Sequence, residues 1–365
     1  MIIRLKRQRK LMLIGVTMFC LLLVSTVAAV AGEVVTLRPS NTIELALENS
    51  PEIQIAEIEL ENARIDYEKS KAQELSTTSR YSELQAELQI EQARENYHHK
   101  ENEVIINIFE DYLQILSSRE EVTITDKRKE LQKRQLEVTE ARYQAGHAGR
   151  LELAEIEHSY ENTSRELSYT RQELKQLLEE FKHTLGLKED VQVELEAIER
   201  PEVMSVSKEE AIEAIVDNDF SLEVNRRQAE LAEIDLERGK ISGLSSLDIQ
   251  QLENNLQLAE LDLEQGKQDI HNRAQSQYNA FLRSADRMEM AHRSLEQEQQ
   301  NFEISEEQYQ AGTRTENDLL SAEIELLSAE NSYNQAIIDY LTGELNLRQS
   351  MGQDLGSVYD EQLID

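Results

Sequence analysis

The tetrapeptide Tyr-Gln-Ala-Gly occurs twice in the chain, beginning at Tyr143 and at Tyr309, and each copy interrupts a long helical pattern. The surrounding stretches, "ARYQAGHAGRLELAEIE" and "EQYQAGTRTENDLLSAEIE", share their order beyond the tetrapeptide. The match extends further. "NARIDYEKSK" at 62–71 aligns with "LAEIDLERGK" at 231–240, so that Ala63 faces Ala232 and Asp66 faces Asp235 at an offset of 169. Further on, Tyr112 faces Tyr278 and Gly146 faces Gly312 at an offset of 166. Two copies of one plan follow from this. The three-residue difference must fall after Lys71 and Lys240, where length changes mark a connection.

Each half carries the same series of helix signals. A short helix is predicted over 42–49 and again over 207–218. A second runs from Ser50-Pro51-Glu52, a capping serine with proline and an acid in the first turn, to about Gln73; its counterpart covers 219–240. Polar links follow, "ELSTTSRYS" and "ISGLSSLD". Long helices are then predicted over 83–145 and 249–311. In the first, Ile90, Ala93, Tyr97, Val104, Ile108 and Tyr112 step mainly by three and four. Gly146 and Gly312 end them, because glycine enters the left-handed region cheaply. Return helices cover 150–185 and 316–351. A helix over 83–145 is roughly 95 Å long, and the two shorter helices of each half, laid end to end, match that length. The expected fold is therefore all-α: two repeated long helical hairpins in an elongated coiled-coil-like bundle. The boundaries are 32–186 and 207–352, a linker at 187–206 with a short strand at "VQVEL", and an acidic tail at 353–365.

Composition agrees. Three prolines, no tryptophan and 39% hydrophobic residues suit long paired helices better than a compact ball. The net charge of −34 repels phosphate backbones, so no nucleic-acid role is expected. The single cysteine, Cys20, allows no internal disulfide and no cysteine-based metal site. His98 and His99 are adjacent and diverge on a helix, and His147 has no triad or ligand pattern around it. No catalytic residue, metal or cofactor is expected, and the chain reads as a non-enzyme.

The N-terminus reads as an address. "MIIRLKRQRK" is followed by the uncharged run 11–31, ending Ala29-Val30-Ala31 before Gly32. This is the pattern of a secretory signal peptide, and the run is also long enough to serve as an anchor. Either way the acidic bulk is expected in the cell envelope or at the surface, outside the cytoplasm.

The duplication, "IELALENSPEIQIAEIELENARIDYEKSKAQ", the linker after "HTLGL", and "YQAGTRTENDLLSAEIELLSAENSYNQAIIDYLTGELNLRQSMG" together resemble the TolC-like outer-membrane efflux protein family over about residues 35–352. The resemblance implies a homotrimer whose protomers share a β-barrel and build a periplasmic tunnel. The tunnel's tips meet a periplasmic adaptor (membrane fusion) protein and an inner-membrane pump. It places Tyr309, Gly312, Thr313, Arg314 and Asp318 on the second tip, where the family has gate and adaptor contacts. Tyr143, Gly146 and Glu152 fall on the first tip, with Glu152 where an acid pairs with the second-repeat tyrosine and arginine. Ser321 departs from the family, standing where a second acidic ring would be. The links depart as well: a spanning strand needs ~9–11 residues, and neither link can supply two. Little or no β-barrel is therefore expected. Two functions remain open. One is a helical conduit of an efflux or type I secretion system; the other is an exported structural or interaction coiled coil that has lost channel activity.

Overall fold

A computed structural model describes residues 34–74, 80–198 and 200–356, so the expected export segment and the end of the acidic tail lie outside the described residues. Among the described residues there are eight helices and two short strands. The first half comprises β1 (Val34–Leu37), α1 (Pro39–Asn49), α2 (Pro51–Glu74), α3 (Arg80–Gln144) and α4 (Arg150–Thr184). The second comprises β2 (Gln192–Leu195), α5 (Lys208–Asn218), α6 (Phe220–Ser242), α7 (Ser246–Gln310) and α8 (Glu316–Ser350). Both α3 and α7 contain 65 residues, ~97 Å at 1.5 Å per residue.

The two offsets read from the sequence reappear in the element boundaries. Helices α1 and α5, and likewise α2 and α6, begin 169 positions apart; α3 and α7, and likewise α4 and α8, begin 166 apart. The local chemistry repeats with them. Ser50 Oγ accepts from Ile53 N at 3.3 Å, and Asp219 Oδ1 accepts from Leu222 N at 3.2 Å. Ser207 and Glu210 form a reciprocal capping box that starts α5. The return helices end at Gly186 and Gly352, whose φ values are +66° and +75°. In each half an asparagine locks that end. Asn49 Nδ2 donates to Leu185 O at 3.2 Å, and Asn218 Nδ2 donates to Met351 O at 3.1 Å.

Helix α3 is the shared wall of the assembly. The stacked pair α2 and α4 packs along one side of it; α6 and α8 pack along the other, and α7 lies beyond them. Midway along, the chain wraps a belt across the rods. Strands β1 and β2 pair in parallel, Val34 opposite Gln192. Tyr112 Oη donates to Glu196 O at 2.7 Å and lies 3.0 Å from Leu37 O. Its repeat partner Tyr278 donates to Val206 O at 3.0 Å. Tyr340 Oη accepts from Met204 N at 2.8 Å. Burial pushes the Tyr112 phenol up to about 12 and raises that of Tyr340 as well, so both hydroxyls stay protonated across the physiological range. Leu355, inside the stretch expected as an acidic tail, is fully buried against the first half's core of Leu37, Ile43 and Phe181.

Strand β1 was not foreseen. Four residues, VVTL, are too short to establish a period, and pairing with β2 rather than local pattern makes the strand. Helix α1 also starts three residues before the expected Thr42, because Pro39 fits the first helical turn. The short links are as expected. Helix α2 ends at Glu74 and α3 begins at Arg80; α6 ends at Ser242 and α7 begins at Ser246. Neither gap holds the ~9–11 residues of one spanning strand, and no barrel strand occurs among the described residues.

A polar seam joins the hairpins between α3 and α8. Asn334 Nδ2 donates to Glu120 Oε1 at 2.6 Å, Ser117 Oγ to Asn331 Oδ1 at 3.1 Å, and Lys127 Nζ pairs with Glu323 at 3.0 Å. Arg134 bridges to Glu316. Ile124 packs among Leu320 and Ile324 between them. Burial raises the Glu120 carboxyl above its usual range, and burial together with Glu120 does the same to Glu330.

Two predictions follow from these contacts. A Cβ added at Gly186 would lie 2.7 Å from Asn49 Oδ1, and one at Gly352 2.7 Å from Asn218 Cγ, whereas Gly146 and Gly312 face open space. In urea unfolding, Gly186→Ala and Gly352→Ala should each cost ~2 kcal/mol or more. Gly146→Ala and Gly312→Ala should cost only the left-handed strain, about 1 kcal/mol. Secondly, a carboxyl whose folded pKa is raised binds more protons folded than unfolded, so its burden on stability appears as pH rises through the ordinary carboxylate range. Glu120→Gln should therefore raise Tm at pH 7 and lose that advantage toward pH 4.

Candidate functional site

Both Tyr-Gln-Ala-Gly copies form the same bend. Gly146 N donates to Tyr143 O at 3.0 Å and His147 N to Arg142 O at 2.7 Å; Gly312 N donates to Tyr309 O at 2.9 Å and Thr313 N to Gln308 O at 2.9 Å. This doubled closure satisfies the last carbonyls of α3 and α7, and it requires the left-handed glycine, φ +75° in both. Tyr143 and Tyr309 remain 42% and 40% exposed, large rings only partly covered beside a solvent-facing turn.

The two bends differ in how they are braced. At the second, Thr315 and Asp318 form a capping box: Asp318 N donates to Thr315 Oγ1 at 3.2 Å, and Thr315 N to Asp318 Oδ2 at 3.0 Å. The Thr315 hydroxyl, donating to Asp318 Oδ2 at 2.7 Å, and the Thr315 amide, with a smaller contribution from Arg314, hold the Asp318 carboxyl below its usual range. Thr313 Oγ1 donates to Gln308 O at 2.9 Å, and Arg314 Nη1 donates to the buried Ser305 Oγ at 2.9 Å. At the first bend Gly149 offers no side-chain cap. Glu152 instead accepts from Arg142 Nη1 at 2.8 Å across the turn.

The candidate residues thus fall into two clusters, one at each tip: Tyr143, Gly146 and Glu152, and Tyr309, Gly312, Thr313, Arg314 and Asp318. Within one protomer Glu152 is paired with Arg142 and Arg314 with Ser305. Sequence reading missed Arg142, Ser305 and Arg134. Arg142 and Glu152 flank the first glycine, and that opposite-charge pair across a bend was the available signal. The seam also staggers the tips. Arg134 and Lys127 lie 12 and 19 positions before Gly146, while their partners Glu316 and Glu323 lie only 4 and 11 after Gly312. The first tip consequently projects ~12 Å beyond the second, at 1.5 Å per residue.

A groove of about 650 Å³ runs between α3, α7 and α8, over Phe281 and Gly343, with Glu110, Asp339 and Arg287 at its walls. No group of three His, Cys, Asp or Glu side chains among the described residues is placed to hold a metal.

Asp318→Asn tests the second tip's brace. A carboxyl with a depressed folded pKa stabilises the fold above its unfolded value and loses that contribution as pH falls through the folded one. Amide exchange in the first turn of α8 should therefore be faster in the variant at pH 7, and the difference should vanish below the ordinary carboxylate range.

Residues 246–353 match the family of outer membrane efflux proteins. No curated protein sequence matches the chain. Its fold is similar to that of the outer-membrane channel OprN, with a TM-score of 0.60 at 14% identity over 87% of this chain and 90% of that one. The CmeC outer membrane channel of Campylobacter jejuni gives 0.60 at 13%, covering 89% of each chain. The outer membrane protein VceC of Vibrio cholerae gives 0.56 at 14%, over 86% of this chain and 96% of that one. At such identities the likeness is one of fold. The resemblance to the TolC-like outer membrane efflux protein family is therefore carried by residues 246–353 in sequence and by nearly the whole chain in architecture.

Proposed function

We propose that this chain is the helical conduit of a tripartite efflux or type I secretion system, an exported homotrimer in the cell envelope. Its tips dock a periplasmic adaptor protein that works with an inner-membrane pump. The observation that carries the reading is the twin bend. Two tips of one geometry present an exposed tyrosine each, and neither bend glycine has a side chain near it. Tyrosine is the kind of rigid, amphipathic anchor that partner surfaces favour. The glycines leave room for a partner backbone to approach.

Self-association is supported by the outer rods. Helix α7 exposes Leu258, Leu261, Leu282, Met290 and Ile304. Leu261 and Leu282, and likewise Met290 and Ile304, are separated by whole heptads. On the opposite edge α2 exposes Ile55, Ile58 and Ile65. Apolar residues at heptad spacing on two free edges suit helix-to-helix closure between copies. In such a ring Glu152 of one tip can exchange Arg142 for a neighbour's tyrosine or arginine, which would latch the pore. A second reading, an exported structural or interaction protein, is favoured by the short connections at the far ends of both hairpins.

The experiment is the solution mass of the full chain, with and without the hairpin of its cognate adaptor. The conduit reading expects three copies of the 42.1 kDa chain. It also expects binding that falls about tenfold or more in Tyr143→Ala/Tyr309→Ala, because anchors of this kind contribute over ~1.4 kcal/mol. A strict monomer indifferent to the adaptor would favour the second reading.

A further inference from the structure

The hairpin end farthest from the tips has a different chemistry from the tips themselves. Between α6 and α7 the chain turns at Gly243, φ +72°, and three large apolar side chains are left to solvent around the turn. Ile241 is 87% exposed, Leu244 46% and Leu247 75%. They are spaced by three, so the bend presents them together. The tip bends expose fewer: Tyr143 and Leu151 at the first and Tyr309 at the second.

The backbone of this bend is closed on itself. Leu244 N donates to Gly239 O at 3.2 Å, Ile249 N to Ser245 O at 2.9 Å, and Asp248 N to Ser245 Oγ at 3.3 Å. Ser242 Oγ donates to Arg238 O at 2.8 Å. These bonds satisfy part of the turn's backbone, which lessens what must be desolvated when the bend meets a lipid surface. The bend is also packed against its own stem, since a Cβ at Gly239 would meet Leu252, Leu244 and Ile249.

The bend also has cations behind it: Arg238 and Lys240 precede the turn, and no acid lies between Arg238 and Leu247. Arg238 lies over the ring of Tyr81, 5.8 Å from its centroid, at the neighbouring start of α3. The partners of the two cations, Asp235 and Glu253, sit farther up the stem than the cations do. Three aliphatic side chains at the extremity, with tyrosine, arginine and lysine one turn behind, form the pattern of an interfacial anchor: apolar groups among acyl chains, amphipathic and cationic groups at the headgroups. No described helix is long and apolar enough to cross a membrane, so this contact is with one leaflet's surface.

We propose that the α6–α7 bend is a lipid-docking tip that inserts Ile241, Leu244 and Leu247 into a phospholipid surface, with Arg238 and Lys240 on its phosphates. The surface lies at the opposite end from the adaptor-docking bends, and the inference does not depend on them.

The chain lacks tryptophan, so a single introduced one reports cleanly. Leu247→Trp in the full chain should shift its emission to shorter wavelength on adding phosphatidylcholine/phosphatidylglycerol vesicles and become quenched by brominated acyl chains. Thr313→Trp, at the second tip bend, should do neither. In vesicle flotation of the chain from Gly32 onward, which omits the apolar run 11–31, Ile241→Ser and Leu247→Ser should each reduce partitioning about tenfold. Both positions are exposed, and unchanged circular dichroism will show that the rods persist. Arg238→Gln/Lys240→Gln should remove the preference for the anionic lipid. A Leu247→Trp emission unaffected by vesicles would overturn the proposal. So would a blue shift that tracks protein concentration without lipid, which would assign the bend to a second copy of the chain.

Discussion

Everything in this molecule follows from the need to hide a stripe of apolar residues along a helix of about 97 Å. A 65-residue helix gains little from its own hydrogen bonds in water and must be covered along its length. Two shorter helices laid end to end do this on each side of α3, and the same solution is repeated on α7. The stacked helices need a joint, and the asparagine–glycine locks at Asn49–Gly186 and Asn218–Gly352 supply it twice. The tyrosines at 112, 278 and 340 then fasten the crossing belt to the rods through carbonyl and amide groups that would otherwise be buried without partners.

The rods have two kinds of end, and the division is chemical. At one end both long helices turn at glycine-centred bends with half-exposed tyrosines. At the other, α6 and α7 meet in a bend that exposes Ile241 and Leu247. A long two-ended object of this sort can bridge two partners of unlike chemistry. The stagger of the two tips adds asymmetry: a partner approaching from that end meets Tyr143 before Tyr309. The polar seam that sets the stagger contains a half-buried carboxylate at Glu120 near Glu330, and burial holds both above their usual range.

Much of this architecture was legible in the residues. The duplication gave the two hairpins, and the change of offset from 169 to 166 located the connection before the structure placed it between α2 and α3 and between α6 and α7. Gly146 and Gly312 marked the bends because no other residue tolerates that backbone so cheaply. What could not be read is non-local. Strand β1 exists only because Gln192–Leu195 lies beside it. The partners of Glu152 and Arg314 were assigned from a resemblance. Within this chain the two side chains pair with Arg142 and Ser305, each inside its own tip. The exposure of Ile241 and Leu247 likewise emerges only once the bend is built, since in the sequence "KISGLSSL" passes for an ordinary turn.

The central claim is that two hairpins lie side by side with their glycine bends at one end and their connections at the other. Energy transfer between dyes on paired cysteines measures this directly, in a background with Cys20 replaced and labelled chain diluted into unlabelled. Labels at His147 and Thr313 should show strong transfer. Labels at His147 and Leu244 should show almost none, because a rod on the order of 95 Å separates them. Strong transfer in the second pair, or its loss in the first, would contradict the account.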